Sequence, residues 1–412
     1  MYCFFFSFYD MKVKIITCLL VSFCCACGAS TDEETLEVPD YITKLKNITV
    51  INPTTQPTDT IRLEKQTVFK SNSDVFIDGY ISNITVDNSS RVYIGAGGAE
   101  KAGIYVFRPD GSFLATVGTY GRGPGEFLSI GSLLTGNNRL YVLDPQLQKF
   151  SIYSLKNFRH ISDGVFSKKS LPPSDTLAQR LRVNKLFLNK QKGELFIQLS
   201  SFPQFEEQDV DRKFLYRSSK TGSIVPGPLL ELQRFPFYFP KNKEMRFPFA
   251  MPFSRNSLIS ISAKGDIFTA WTEDFFIKKY YTDGDYKKSF YSPVQASSLP
   301  LKSIDISSER LKVLDHYNLP DTWPTLHTML VDDKERIWTA RIIDSEKVFE
   351  WWVLSNNGEM IAKFNFPGER SKRTVMEPPI LEVKNGYFYF HEFDFHSGID
   401  QIVKYDIEMG SN

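Results

Sequence analysis

Two stretches of this 412-residue chain hold residue types that could do chemistry. The first is Gly118–Phe127, which reads GTYGRGPGEF. Four closely spaced glycines leave the backbone few steric limits, as a loop that cradles a phosphate requires. The Lys-Ser/Thr ending and the following helix of such a loop are missing, and Pro124 removes one amide donor. The expectation is therefore a sharp connection between two β units. The second stretch is His391-Glu392-Phe393-Asp394-Phe395-His396. On a strand, Glu392, Asp394 and His396 would share one face, and neighbours two apart could share a metal. All three together would span about 13 Å at ~3.3 Å per residue. A solvated strand edge opposite an aromatic face is expected instead. Sequence order alone assembles no Ser-His-Asp grouping.

Composition narrows what could position such residues. Hydrophobic residues make up 42% of the chain, and the 35 Phe and 19 Tyr favour strands. A single core stops growing near ~250–300 residues, so this length implies two domains or a repeat whose units pack on their neighbours. The formal net charge is +1, contributed by Asp10, Lys12 and Lys14, which leaves the chain after Cys27 neutral. A nucleic-acid partner, which usually selects a basic excess, is not expected. All five cysteines (Cys3, Cys18, Cys24, Cys25, Cys27) fall in the first 27 residues. The body therefore has no disulfide framework, thiolate metal site or cysteine nucleophile.

The N-terminus reads as an address. Lys12 and Lys14 form a basic region, and Ile15–Ala26 is an apolar run too short to span a bilayer. It ends in Ala26-Cys27-Gly28, which resembles a bacterial lipoprotein signal with Cys27 as the lipidated residue. The residue three before the cysteine, usually Leu, is Cys24 here. An ordinary signal peptide or an uncleaved anchor is the alternative. Residues 1–10 read as an extension upstream of Met11, so either Met1 or Met11 is the start. Asp32, Glu33 and Glu34 follow in a polar tether. They resemble the surface-export signal of some Gram-negative lipoproteins, and a solvated linker has the same composition.

The body repeats. An apolar run, a polar turn and a run with a central aromatic recur six times, from ITVDNSSRVYI at the first copy to ILEVKNGYFYF at the last. The aromatics align as Tyr93, Tyr141, Phe196, Phe268, Trp338 and Phe388. A third strand, a tight turn and a fourth strand follow most copies. The turns carry Asp110-Gly111, Thr221-Gly222, Asp283-Gly284 and Asn357-Gly358. The unit is a four-stranded antiparallel meander, and six such units make a ring in which each blade buries its faces on its neighbours.

The segment GTYGRGPGEF after DGSFLATVG resembles the glycine-rich linker of NHL-type repeats. With the leader included, the chain resembles the six-bladed β-propeller lipoproteins of Gram-negative envelopes. The resemblance covers roughly residues 58–407, with the linker clear after the first blade. The expected fold is all-β, a six-bladed propeller of four-stranded blades. The expected divisions are a signal peptide over 1–27, a tether over 28–57, the propeller over 58–407 and a tail over 408–412. The sixth copy lacks a fourth strand after Gln401–Ile407, and Asp59–Phe69 is a spare strand that can supply it and close the ring.

Two insertions interrupt the repeat. Arg234–Pro240 (RFPFYFP) and Arg246–Pro252 (RFPFAMP) are near-duplicates around the charged Lys241–Glu244. They read either as an aromatic lip over a ligand or as a loop that buries its phenylalanines on a blade. Ile304–Trp323 reads as a short helix capped by Ser308 and ended by Pro320.

In propellers, ligands sit where the innermost strands begin. The residues at those starts include Asn83, Gly131, Arg182, Asn184, Arg255, Asn256, His327 and Glu377. Arg182, Asn184, Arg255, Asn256, His327 and Glu377 are the candidate ligand-binding set, suited to a small anionic or sugar-like molecule. The arginines would pair an acidic or carbonyl group. The expected function is a non-catalytic binding module, lipid-anchored in the cell envelope at the outer membrane. It would take a small molecule, a glycan or an envelope protein as partner, with no resident cofactor. The alternative is a lactonase-like hydrolase holding Ca2+ at the channel. Glu377, Asn83, Asn184 and Asn256 would be near the ion, with Asp87 and Asp332 farther along. Of the five histidines only His327 lies at a channel position, too few for the zinc site of the peptide-lyase relatives.

Overall fold

The six aligned aromatics are the points where the repeats meet: Tyr93, Tyr141, Phe196, Phe268, Trp338 and Phe388 are all buried. The computed structural model describes residues 38–98, 100–201, 212–238, 249–251, 253–300, 319–368 and 379–411. The chain divides after Leu36, and the following unit holds all of these residues. Cys27, Glu377, the Lys241–Glu244 segment and most of the Ile304–Trp323 insertion lie outside the described residues. Among the described residues no helix is long and apolar enough to cross a membrane.

Six antiparallel sheets form the blades of a six-bladed propeller. Their innermost strands are Tyr80–Val86, Ser132–Gly136, Arg182–Asn189, Ser257–Ile261, Leu326–Val331 and Leu381–Lys384. The innermost strands of blades 6, 1, 2, 3, 4 and 5 lie side by side in that order around the axis. Each seam between neighbouring blades has its own apolar cluster, because a meander buried on both faces needs partners on both sides.

The turn dipeptides do what their glycines require. Gly222 has φ of +95°, and a Cβ there would come within 2.3 Å of the Val165 carbonyl oxygen, so no other residue fits. Polar side chains hold the hairpin turns of blades 1 and 5 in the same way. Asp87 accepts from the Ser89 and Arg91 amides, the Arg91 side chain and the Tyr93 hydroxyl. Asp332 accepts from the Lys334 and Arg336 amides, the Arg336 side chain and Trp338 Nε1. Buried carboxylates in such positions are stable because every lone pair has a donor.

The ring closes as expected from the spare strand. Asp59–Phe69 pairs antiparallel with Ile399–Ser411, from Asp59 opposite Ser411 to Phe69 opposite Ile402. The last strand therefore continues through Ser411 rather than ending at Ile407, and residues 408–411, expected to be tail, are ladder. The expected tether also differs. Asp40–Thr43 is a short helix, and Ile48–Val50 adds to blade 4 in parallel with Tyr286–Ser292. Ile42 sits in a small apolar cluster with Phe276 and Tyr291. From there the chain crosses blade 5, where Thr58 bonds the Met360 carbonyl and Lys363 bonds the Pro53 carbonyl.

The glycine loop joins blade 1 to blade 2, and the amides of Gly121, Gly123 and Gly125 are already taken. Gly123 N–H donates to Glu126 at 2.7 Å and Gly125 N–H to Asp163 at 3.3 Å. Its carbonyls accept from Lys149 and Tyr153, so it presents no phosphate cradle. The 391–396 cluster is also dispersed. Its strand ends at Asp394, which caps a turn through the His396 amide and the Ser397 hydroxyl. His391 pairs with Asp400, and Glu392 accepts from Tyr405. Among the described residues no group of three or more His, Cys, Asp or Glu could hold a metal.

Candidate functional site

Where the six inner strands begin, they enclose a cavity of about 650 Å³. Asn83, Gly131, Asn184 and Asn256 line it, as strand starts should. A bulge between Val183 and Lys185 turns the third inner strand at Asn184. Asn184 donates to the Ser200 hydroxyl at 2.6 Å and accepts from Gln198 Nε2 at 2.9 Å, so blade 3 presents a fixed row of amides. Asn83 bonds the Ile130 carbonyl at 3.0 Å and joins blade 1 to the start of blade 2.

The other expected residues are placed elsewhere. Arg255 is buried and committed to structure. It forms a double contact with Glu273 at 2.5 and 3.2 Å, and it donates to the Thr322 carbonyl and hydroxyl at 2.8 and 2.7 Å. It ties blade 4 to the segment that leads into blade 5. His327 is buried with its ring stacked on Phe349, centroids 4.4 Å apart, because a bulge after Leu326 turns it off the channel face. Arg182 is exposed and donates to the Gln146 carbonyl at 3.2 Å. It lines a smaller cavity of about 400 Å³, which shares Asn184 and Arg234 with the larger one. Asp87 and Asp332 lie at the far ends of their inner strands, in the hairpin turns, away from this mouth.

Three cations that strand starts alone do not reveal complete the mouth: Lys185, Lys213 and Arg234. Arg234 opens the aromatic insertion. Its guanidinium lies 4.9 Å from the Phe235 ring centroid and 4.5 Å from that of Phe237, and Phe235 also lines the cavity. The described start of the RFPF segment thus stands at the rim, held by its own arginine and by the Phe237–Tyr238 ladder with Phe249–Ala250.

Lys213 comes from the third strand of blade 3 and is buried. Its Nζ donates to Asn256 Oδ1 at 3.0 Å and to the Ser257 carbonyl, both on blade 4. Burial pushes its ammonium well below the ordinary lysine value, and the positive charges of Lys185 and Arg234 push the same way. The sequence carried a signal for it. Lys213 shares a strand face with Leu215, which packs into the seam between blades 3 and 4. A lysine on the seam face of a blade must be desolvated.

The described lining of the cavity thus holds three cations, four side-chain amides and no carboxylate. The opposite face offers a hollow of about 670 Å³ over the turns of blades 1 and 2, where Asp87 already neutralises Arg91 at 2.6 Å. The two ends of the ring therefore differ in charge balance more than in size.

The model of a family described as 6-bladed beta-propeller matches residues 71–171. A structure from Bacteroides vulgatus, a member of the duf4221 family, is 10% identical with a TM-score of 0.52, covering 86% of this chain and 100% of its own. A Bacteroides fragilis protein inferred to be exported is 14% identical with a TM-score of 0.50, covering 89% of this chain and 99% of its own. At these identities the likeness concerns the fold. No functionally curated protein matches the chain.

Proposed function

We propose that this propeller is an exported binding protein that holds a small anionic ligand at the channel mouth. One observation carries the reading: a 650 Å³ cavity whose described lining has Lys185, Lys213 and Arg234 and no carboxylate. Lys213 is desolvated beside two further cations, and an anion entering among them offsets part of the cost of that arrangement. The side-chain amides of Asn83, Asn184, Gln198 and Asn256 supply the neutral hydrogen bonds that fix orientation, and Phe235 adds an apolar wall. A sugar acid or a small dicarboxylate has this chemistry. The calcium hydrolase is the second reading: Asn83, Asn184 and Asn256 line the cavity as oxygen donors, and Glu377, the carboxylate it calls on, lies outside the described residues.

The test is calorimetric titration with paired ligands, glucuronate against glucose. Glucuronate is expected to bind and glucose is not. Charge-assisted contacts are typically worth ~1.5–3 kcal/mol, so Lys185→Ala or Arg234→Ala should each weaken binding about 10–150-fold. Equal binding of the neutral sugar, or affinity untouched by both substitutions, sinks the reading.

The address belongs to the same proposal. Ala26-Cys27-Gly28 after a short apolar run supports lipidation at Cys27 and an envelope location, and a structural relative inferred to be exported is in keeping with it. Cys27→Ser should abolish fatty-acid labelling and release the protein from membranes. Continued labelling of that variant would place the anchor elsewhere.

A further inference from the structure

Lys213 differs from the other buried lysines. Lys279 lies 2.8 Å from Asp266, and Lys149 lies 3.8 Å from Asp163. Lys384, at the opposite end of the channel, has the charges of Glu382, Asp87 and Asp333 around it as well as that of Lys190, and Lys404 has Asp406. Among the described residues, Lys213 has two neutral acceptors and, as its charged neighbours, two cations. Two acceptors match the two hydrogens of a neutral amine, and the remaining valence of such an amine is a lone pair. Lys213 also lines the cavity where the ligand is placed.

We propose that Lys213 captures carbonyl-bearing carboxylates as an imine, with Arg234 and Lys185 holding the carboxylate. This rests on the anion-binding reading and narrows its ligand to a small acid that also carries an aldehyde or ketone. Nζ attacks the carbonyl carbon and a C–N bond forms while the oxygen takes up a proton. The resulting carbinolamine loses that oxygen as water, together with the second amine hydrogen. One amine and one carbonyl give one imine and one water, with no oxidant or reductant. A lysine in a desolvated site beside other cations is the arrangement that keeps such an amine unprotonated and nucleophilic near neutral pH. For Lys213, burial and its cationic neighbours both disfavour the ammonium.

Glyoxylate with cyanoborohydride at pH 7 tests the proposal, since the reductant traps the imine as a stable carboxymethyl-lysine. Peptide mass spectrometry then reads the rate at each lysine. Each unit by which an amine's pKa is lowered raises its unprotonated fraction about tenfold. Lys213 should therefore be labelled at least about tenfold faster than the exposed Lys220 and Lys334. Arg234→Ala should slow labelling at Lys213 without slowing it at Lys220. Labelling of Lys213 no faster than of Lys220 overturns the proposal. Calorimetry with glycolate, the same acid without the carbonyl, separates the two readings. Glycolate binding that Arg234→Ala weakens, with no trapping at Lys213, leaves the anion site standing and removes the imine. Failure of glycolate binding and of trapping removes both. Thermal melts of each variant confirm that the ring is folded.

Discussion

The seam between blades 5 and 6 and the seam between blades 3 and 4 show two ways of joining the same unit. At 5–6, Trp338, Trp351, Phe366 and Phe388 meet with ring centroids 5.1–6.1 Å apart, and Ile61 of the closing strand joins them. Trp338 Nε1 reaches Asp332 there at 2.9 Å, whereas the buried Trp351 Nε1 has no acceptor among the described residues. At 3–4, the buried apolar set among the described residues is Phe196, Leu215 and Ile267, and Lys213 crosses the seam beside them. The first seam maximises apolar area. The second gives up some of it to hold a lysine amine out of water at the cavity. A closed ring tolerates this, because blades 3 and 4 cannot part without straining the other five seams.

The largest expected effect breaks the closure itself. A chain beginning at Ser71 lacks Asp59–Phe69 and with it the ladder to Ile399–Ser411 and the buried Ile61 and Phe69. One buried aromatic alone is worth ~3–5 kcal/mol, against a total stability of typically ~5–15 kcal/mol. This chain should lose cooperative melting. A melt like that of the whole protein would show that the 5–6 seam does not hold the ring.

Next comes a single substitution in the same seam. Trp338→Ala removes a fully buried ring and leaves Asp332 short of one donor. It should cost about 3–5 kcal/mol by chemical denaturation. A loss under ~1 kcal/mol would mean that the aromatic seam relaxes around the void and is not the close-packed joint described above.

How much of this contrast the sequence shows depends on the kind of contact. The blades are legible because a local pattern makes them: Tyr93 and its five counterparts recur with their turns, and each is buried. Closure is legible because a strand was missing at one end and spare at the other. The site is only half legible. Asn83, Asn184 and Asn256 reach the mouth because the start of an inner strand faces the axis. Arg255 and His327 have equivalent positions, yet Glu273 and Thr322 claim one, and a bulge turns the other toward Phe349. Those partners lie on other strands and in a bulge that no local pattern marks. Lys213 escapes the strand-start rule because it reaches the cavity from a third strand, across a seam.

The smallest effect is also the sharpest test of the comparison, because it has the opposite sign. Lys213→Met replaces a desolvated amine with an apolar side chain of similar length. Such replacements are often neutral or stabilising by about 1–4 kcal/mol, although here the Asn256 and Ser257 oxygens lose a donor. The variant should melt at or above the wild type near neutral pH while losing anion affinity. The pH dependence follows from the direction of the shift. The folded-state pKa of Lys213 lies well below the unfolded value near 10.5, so over the interval between them the unfolded chain binds more protons. Wild-type stability from this group is lowest below the folded pKa and is regained as pH rises towards 10.5. The advantage of Lys213→Met should therefore be greatest at the acid side of that interval and shrink through it. Denaturation midpoints of the two proteins at a series of pH values measure the difference directly, since their other titrating groups cancel. A constant difference across the interval, or one that grows with pH, would show that Lys213 is not desolvated, and the contrast between the two seams would lose its electrostatic part.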